Sequence, residues 1–204
     1  MKRKIGIRTY ARDESIIFHK TKESFGALSN MSAGFPIIVN GRRIATSEAL
    51  YQACRFPSNP SLQDLIISQT SPMTAKMRSK PYRHETRPDW LMVRVRIMRW
   101  CLQAKLIQNY LAFSQILLNT GEKPIVEYSS KDNFWGAIPL TDNTLVGANV
   151  LGRLLMDLRL QLKQDLFSTD RLAPPEVKNF LLLNMPIYEI YPRAPGIEPS
   201  DLFL

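Results

Sequence analysis

One run, PDWLMVRVRIMRWCLQAKLIQNYLAFSQILLN at residues 88–119, constrains the fold of this chain more than any other feature. Leu91, Val95, Met98 and Leu102 form one apolar stripe at helical spacing, and Trp90, Val93, Ile97, Cys101 and Ala104 form a second. A helix that is apolar around so much of its circumference has to be covered on most sides. The spacing therefore predicts one long central helix from about Pro88 to Asn119. The chain has 204 residues, 45% of them apolar. That is enough for one domain, or one domain with an extension, built around such a core.

The elements on either side are shorter. SIIFHK and FPIIVNGRRIAT read as strands, the second folded into a hairpin at Asn40-Gly41, a dipeptide that tolerates the positive φ angles of a type I′ turn. ATSEALYQACRFP predicts a helix starting at Thr46 or Ser47 and stopping at Pro57. NPSLQDLIISQT predicts another, and SPMTAKMRSK a third, capped by Ser71 with Pro72 in its first turn. PYRHET reads as a loop, KPIVEYS as a strand, SKDNFWGAIPLTDNTLVGAN as a long polar loop, and NVLGRLLMDLRLQLKQDL as the last strong helix. Past Ser168 the chain is rich in proline, and one helix, one strand and an irregular tail are expected there. Strands mixed with segregated helices, without regular βαβ alternation, predict an α+β class. The expected layout is a domain over residues 1–168 followed by an extension over 169–204.

Several function classes are excluded or favoured by composition. No uncharged apolar run of about 18 residues or more occurs, so no membrane span is expected. The basic N-terminus MKRKIGIRTYARDE has no apolar stretch of signal-peptide length. Cys54 and Cys101 fall on apolar helix faces and read as reduced core residues, which predicts a cytoplasmic protein. Two histidines and two cysteines, unclustered, give no metal-ligand spacing. The net charge of +9 suits a phosphate-bearing partner, and equally a merely basic surface.

Five places carry residues able to do chemistry. On the helix after the hairpin, Glu48, Tyr51, Gln52 and Arg55 share one row opposite Ala49, Leu50, Ala53, Cys54 and Phe56. Glu48 either complements the helix dipole or acts as a fixed anion at a cleft. In SKDNFWGA, Asp132 beside Phe134 and Trp135 is either a turn with a core plug or a base-stacking and hydrogen-bonding loop. In TAKMRSKPYR, Lys76, Arg78, Lys80 and Arg83 form either a solvated face or a phosphate grip. Lys105, inside the most apolar helix, either snorkels to water or is desolvated, and a desolvated lysine can attack a sugar C1 as a neutral amine. Asn149, bracketed by Gly147 and Gly152, either caps a helix or reads a ligand.

Taken in order, FGALSNM, PIIVNGRRIATSEALYQACRF, SPMTAKMRSK, the Trp of RPDW, LQAK, KDNFWG and GANVLGRLLMDLR resemble the NADAR family over about residues 16–162. The resemblance implies an α+β N-glycosidase that hydrolyses a ribose C1–N bond without metal or organic cofactor. One branch removes ADP-ribose from guanine in DNA or RNA, releasing free ADP-ribose, and often sits beside a DarT-type ADP-ribosyltransferase toxin as its antidote. Another branch cleaves phosphorylated riboflavin-pathway intermediates. Carried over by position, Glu48, Asp132 and Lys105 are the catalytic candidates. The substrate-binding candidates are Asn30, Tyr51, Gln52, Arg78, Lys80, Arg83, Trp90, Trp135, Gly136 and Asn149. Gly152, Leu155, Met156 and Arg159 match the family's last motif. Two positions depart from the pattern: the frequent His after the Glu is Ala49, and the Lys often found before Phe is Arg55. A non-catalytic binder of ADP-ribose or nucleic acid is the remaining reading, and it would not need Glu48.

Overall fold

The run from Pro88 to Asn119 does not form one helix. In the computed structural model, whose described residues are 6–193, it breaks at Asn109, where φ is −134° and ψ 40°. The Asn109 amide donates to the carbonyls of Lys105 at 2.9 Å and Pro36 at 3.1 Å. A short polar side chain that bonds the helix backbone ends the helix instead of continuing it. The chain order is β1 (Arg8–Ala11), β2 (Ile16–Phe18), β3 (Ile37–Val39), β4 (Arg42–Ile44), α1 (Ser47–Ala53), α2 (Pro60–Ile67) and α3 (Pro72–Ser79). Then come α4 (Trp90–Gln108), α5 (Tyr110–Leu118), β5 (Ile125–Glu127), β6 (Ile138–Thr141), β7 (Thr144–Gly147), α6 (Val150–Lys163), β8 (Leu181–Leu182) and β9 (Met185–Pro186). The class is α+β, as the pattern predicts.

The chain divides into two compact units. The first holds residues 6–29 together with 114–167. Its antiparallel sheet runs β1-β7-β6, and β2 pairs in parallel with β5. The β6–β7 hairpin lies inside the stretch that reads as a polar loop, and β1 lies in the basic N-terminus where no strand is expected. Its alternation is weak because only Tyr10 of β1 is buried. Tyr10, Val126, Ala137 and Leu145 form a small core with Ile17 and Tyr128 at its margin. On α6, Leu151, Leu154, Leu155 and Leu158 are buried, and Arg159 donates to Thr120 Oγ1 at 2.7 Å and to the Lys123 carbonyl at 2.9 Å.

The second unit holds residues 30–113 and 168–193. β3 and β4 are joined at Asn40 (φ 49°) and Gly41 (φ 74°), the two left-handed residues that a type I′ turn requires. α1, α2 and α3 open on the expected caps: Thr46, Asn59 and Ser71 each accept from a backbone N–H three residues on. Residues 80–85 form 3-10 turns where a loop is expected. α1 packs against α2, α3 and α4, so no side of it faces water. Cys54 and Cys101 are free, buried thiols.

Residues 168–193 are built into this second unit. Gln63 donates to the Leu181 carbonyl at 2.9 Å and accepts from the Leu183 N–H at 2.7 Å. Arg87 is bonded to the Asp89 carboxylate and to the carbonyls of Lys178 and Asn179. Phe180, Leu182, Ile187 and Ile190 are buried, Phe180 edge-on to Trp100 at 5.1 Å. Each such side chain contributes roughly 1.5–3 kcal/mol on burial. Among the described residues this segment carries no helix, contrary to expectation; it forms the β8–β9 hairpin and a bridge between Leu172 and Ile190. Its prolines and the left-handed Leu183 and Asn184 suit a turn.

Candidate active site

Why α1 carries an acid, a phenol, an amide and a guanidinium in one row is answered by its burial. Glu48, in the first turn, retains 7% of its surface, and its N–H donates to the Asn30 carbonyl at 3.1 Å. The Ser47 hydroxyl donates to Asn30 as well, and the Asn30 amide meets Met98 Sδ. One turn on, Gln52 Nε2 donates to Glu48 Oε1 at 2.9 Å. Gln52 Oε1 accepts from the Ser79 hydroxyl at 3.3 Å. Asn30, Glu48 and Gln52 thus form one inward-facing polar cluster, closed by Ser79, which the sequence hides inside a run of basic residues.

The aromatic half of the row is separate. The Tyr51 ring lies against Trp90, centroids 4.9 Å apart at 43°. Burial, followed by the charge of Glu48, pushes the Tyr51 hydroxyl pKa upward, so it remains a neutral phenol. The Arg55 guanidinium is 5.6 Å from the Trp90 centroid, and its Nε donates to Thr86 Oγ1 at 2.8 Å. Burial lowers the Arg55 pKa, and the neighbouring Arg83 charge lowers it further. Arg78, Lys80 and Arg83 are exposed on α3 and the turns after it, with Lys76 beside them. Ala75 and Ser79, one turn apart, face inward. Bonds from Arg55 to Thr86 and from Asn59 to Glu85 at 2.6 Å hold this basic stretch against α1 and the start of α2.

Lys105 does not snorkel. It is wholly buried, its Nζ 4.3 Å from the Phe113 centroid and 4.6 Å from that of Phe35. Burial brings its pKa down to about 7.

The other candidates belong to the first unit. Asp132 is exposed, and its Oδ1 accepts from the N–H groups of Phe134 and Trp135, both at 2.9 Å, in an Asx-type turn. Trp135 is half-buried and edge-on to Phe134 at 5.1 Å. The carbonyls of Asn133, Phe134, Trp135 and Gly136 accept the N–H groups of Ala148, Val150, Leu151 and Asn149 respectively. The DNFWG loop therefore caps the N-terminus of α6 with its own backbone. A Cβ at Gly136 would lie 2.5 Å from the Glu127 carbonyl, so only glycine fits. Asn149 is fully buried with φ 48°. Its Oδ1 accepts from Glu127 N–H at 3.1 Å and its Nδ2 donates to the Ile125 carbonyl at 2.9 Å. Its amide is committed to the edge of β5 and is not offered to a ligand.

A family model described as "NADAR domain" matches residues 17–163. The chain belongs to the NADAR domain family. It is 33% identical over 156 residues to the N-glycosidase YbiA of Escherichia coli (strain K12), an alignment covering 76% of this chain and 93% of YbiA. It is also 33% identical over 160 residues to a riboflavin biosynthesis protein of Vibrio vulnificus (strain YJ016), covering 78% of this chain but only 41% of that longer protein. The NMR structure of E. coli YbiA is similar at a TM-score of 0.62 and 32% identity, over 74% of this chain and 88% of YbiA. All thirteen candidate residues lie inside the family match, whereas the segment from 168 that completes the second unit lies beyond it.

That segment also walls a cavity of about 390 Å³ beside the β3–β4 turn, with Ile38, Asn40, Gly41, Gln108 and residues 188–193 as its lining. None of the candidates lines it. Its amides are used internally: Gln108 bonds the Ile38 backbone and the Tyr191 carbonyl, and Asn40 bonds Pro186 and Tyr188. No group of His, Cys, Asp and Glu able to hold a metal occurs among the described residues, and no described helix is long and apolar enough to cross a membrane. The MKRK lysines, Lys2 and Lys4, lie outside the described residues.

Proposed function

We propose that the protein is an N-glycosidase that hydrolyses a ribose C1–N bond, with Glu48 as its working carboxylate. The observation that carries this reading is a carboxylate held at the start of α1 by Gln52, in a chain of the NADAR family. As the C1–N bond breaks, its electron pair goes to the leaving nitrogen and positive charge grows on the ribose. A fixed carboxylate with little water around it stabilises that charge. The water oxygen bonds C1, one water proton ends on the departing base, and the other stays on the new C1 hydroxyl. Glu48 can relay the transferred proton.

The substrate that fits best is guanine ADP-ribosylated in DNA or RNA, with free ADP-ribose as product. The net charge of +9 and the exposed Lys76, Arg78, Lys80 and Arg83 support a polyanion. Such an activity would serve as the antidote to a DarT-type ADP-ribosyltransferase. A second reading is cleavage of a phosphorylated riboflavin intermediate, favoured by the name of the Vibrio vulnificus relative. Incubating the protein with guanine-ADP-ribosylated oligonucleotide and, separately, with a phosphorylated riboflavin precursor tests both. Release of ADP-ribose from the first supports the leading reading, turnover of the second alone replaces it, and binding without turnover of either leaves a binding module.

A further inference from the structure

Both ends of the Gln52 amide already have partners, although its place one turn after Glu48 suggests a ligand-binding residue. An ionised carboxylate only accepts, so the NH2 end must face Glu48, which it reaches at 2.9 Å. The carbonyl end is then turned toward Ser79, whose hydroxyl can donate to it at 3.3 Å. That hydroxyl also lies 2.7 Å from the Lys76 carbonyl, in the last turn of α3, and its single proton serves one of the two acceptors at a time. Glu48, Gln52 and Ser79 are all buried, so water competes little for these bonds. A glutamate side chain with several rotatable bonds holds one orientation only if something restrains it.

We propose that Gln52 and Ser79 are positioning residues that fix the Glu48 carboxylate and do not themselves touch substrate. Ser79 lies between Arg78 and Lys80, which point to solvent. One backbone turn thus carries positive charge outward and the positioning hydroxyl inward. The inference deepens the function proposed above and rests on Glu48 being the working carboxylate.

The test compares wild type with Glu48→Gln, Gln52→Leu, Ser79→Ala and the double variant Glu48→Gln/Gln52→Leu, on the substrate that is turned over. Thermal melts confirm that each variant is folded. Gln52→Leu is expected to lower kcat about 10- to 100-fold and Ser79→Ala by less, with KM nearly constant, because misplacing a reacting group acts on the transition state. The double variant should be no slower than Glu48→Gln, since a residue acting only through Glu48 has nothing left to lose. A rise in KM with kcat unchanged, or a further loss in the double variant, would overturn the inference and make Gln52 a substrate ligand. Full activity in Glu48→Gln would instead remove Glu48 from the mechanism, and this inference with it. Amide NMR supplies a readout independent of turnover and of Gln52→Leu folding: Ser79→Ala should displace the Gln52 side-chain NH2 resonances. Resonances that do not move would also overturn it.

Discussion

The Lys105 ammonium nitrogen lies 4.3 Å from the centre of the Phe113 ring, and the Phe35 ring encloses it at 4.6 Å. Burial lowers its pKa from 10.5 to about 7. The unfolded chain, with an ordinary lysine, binds the proton more tightly than the folded one, so stability must rise with pH between about 7 and 10.5. Between pH 7.5 and 9.5 the gain is roughly 2.5 kcal/mol at most, reduced by whatever the rings return as cation–π attraction. In urea unfolding, wild type should gain stability over this range relative to Lys105→Met. Parallel pH dependences in the two proteins would mean that Lys105 is charged and stabilised inside the core.

The same enclosure bears on mechanism. A neutral amine can form a Schiff base with C1, but Nζ has no exposed surface. Borohydride added during turnover is expected to trap no sugar adduct at Lys105, which leaves direct attack by water. An adduct located at Lys105 by mass spectrometry would establish the covalent route and require the Phe35–Phe113 enclosure to open.

Glu48→Gln keeps the shape of the side chain and an oxygen for Gln52. Turnover should fall about 100-fold or more, with the melting temperature nearly unchanged. The measurement is kcat beside a thermal melt. A folded variant at wild-type rate would contradict the assignment.

Phe180 lies beyond the family match yet packs edge-on against Trp100 in the core of the second unit. Phe180→Ala should cost about 3–5 kcal/mol by chemical unfolding, the usual cost of an aromatic cavity. A loss below about 1 kcal/mol would show that residues 168–193 are a dispensable covering.

If the substrate is modified nucleic acid, part of its affinity comes from neutralised phosphates. The logarithm of oligonucleotide affinity should then fall by about 0.7–0.9 per contacted phosphate for each tenfold rise in salt. A free ADP-ribosyl-guanosine should respond much less. Lys80→Ala should weaken both substrates. Equal, shallow slopes would make the positive charge ordinary surface and favour the small-molecule reading.

Whatever rests on neighbours a few residues apart is written in the chain locally. The type I′ turn at Asn40-Gly41, the caps at Thr46, Asn59 and Ser71, and the starts of α1, α2 and α3 follow from side chains acting on their own backbone. Family membership was legible for the same reason, as short motifs in order. What depends on partners far along the chain is settled on folding. Asn109 breaks the long apolar run partly by reaching Pro36, and Asn149 is spent on Ile125 and Glu127 instead of on a ligand. Lys105 is enclosed because Phe35 and Phe113 fold over it. Ser79, one more residue in a basic run by sequence, turns inward to Gln52. A polar side chain has several possible partners and can satisfy only one or two, and which of them arrives within about 3 Å is settled when distant segments pack.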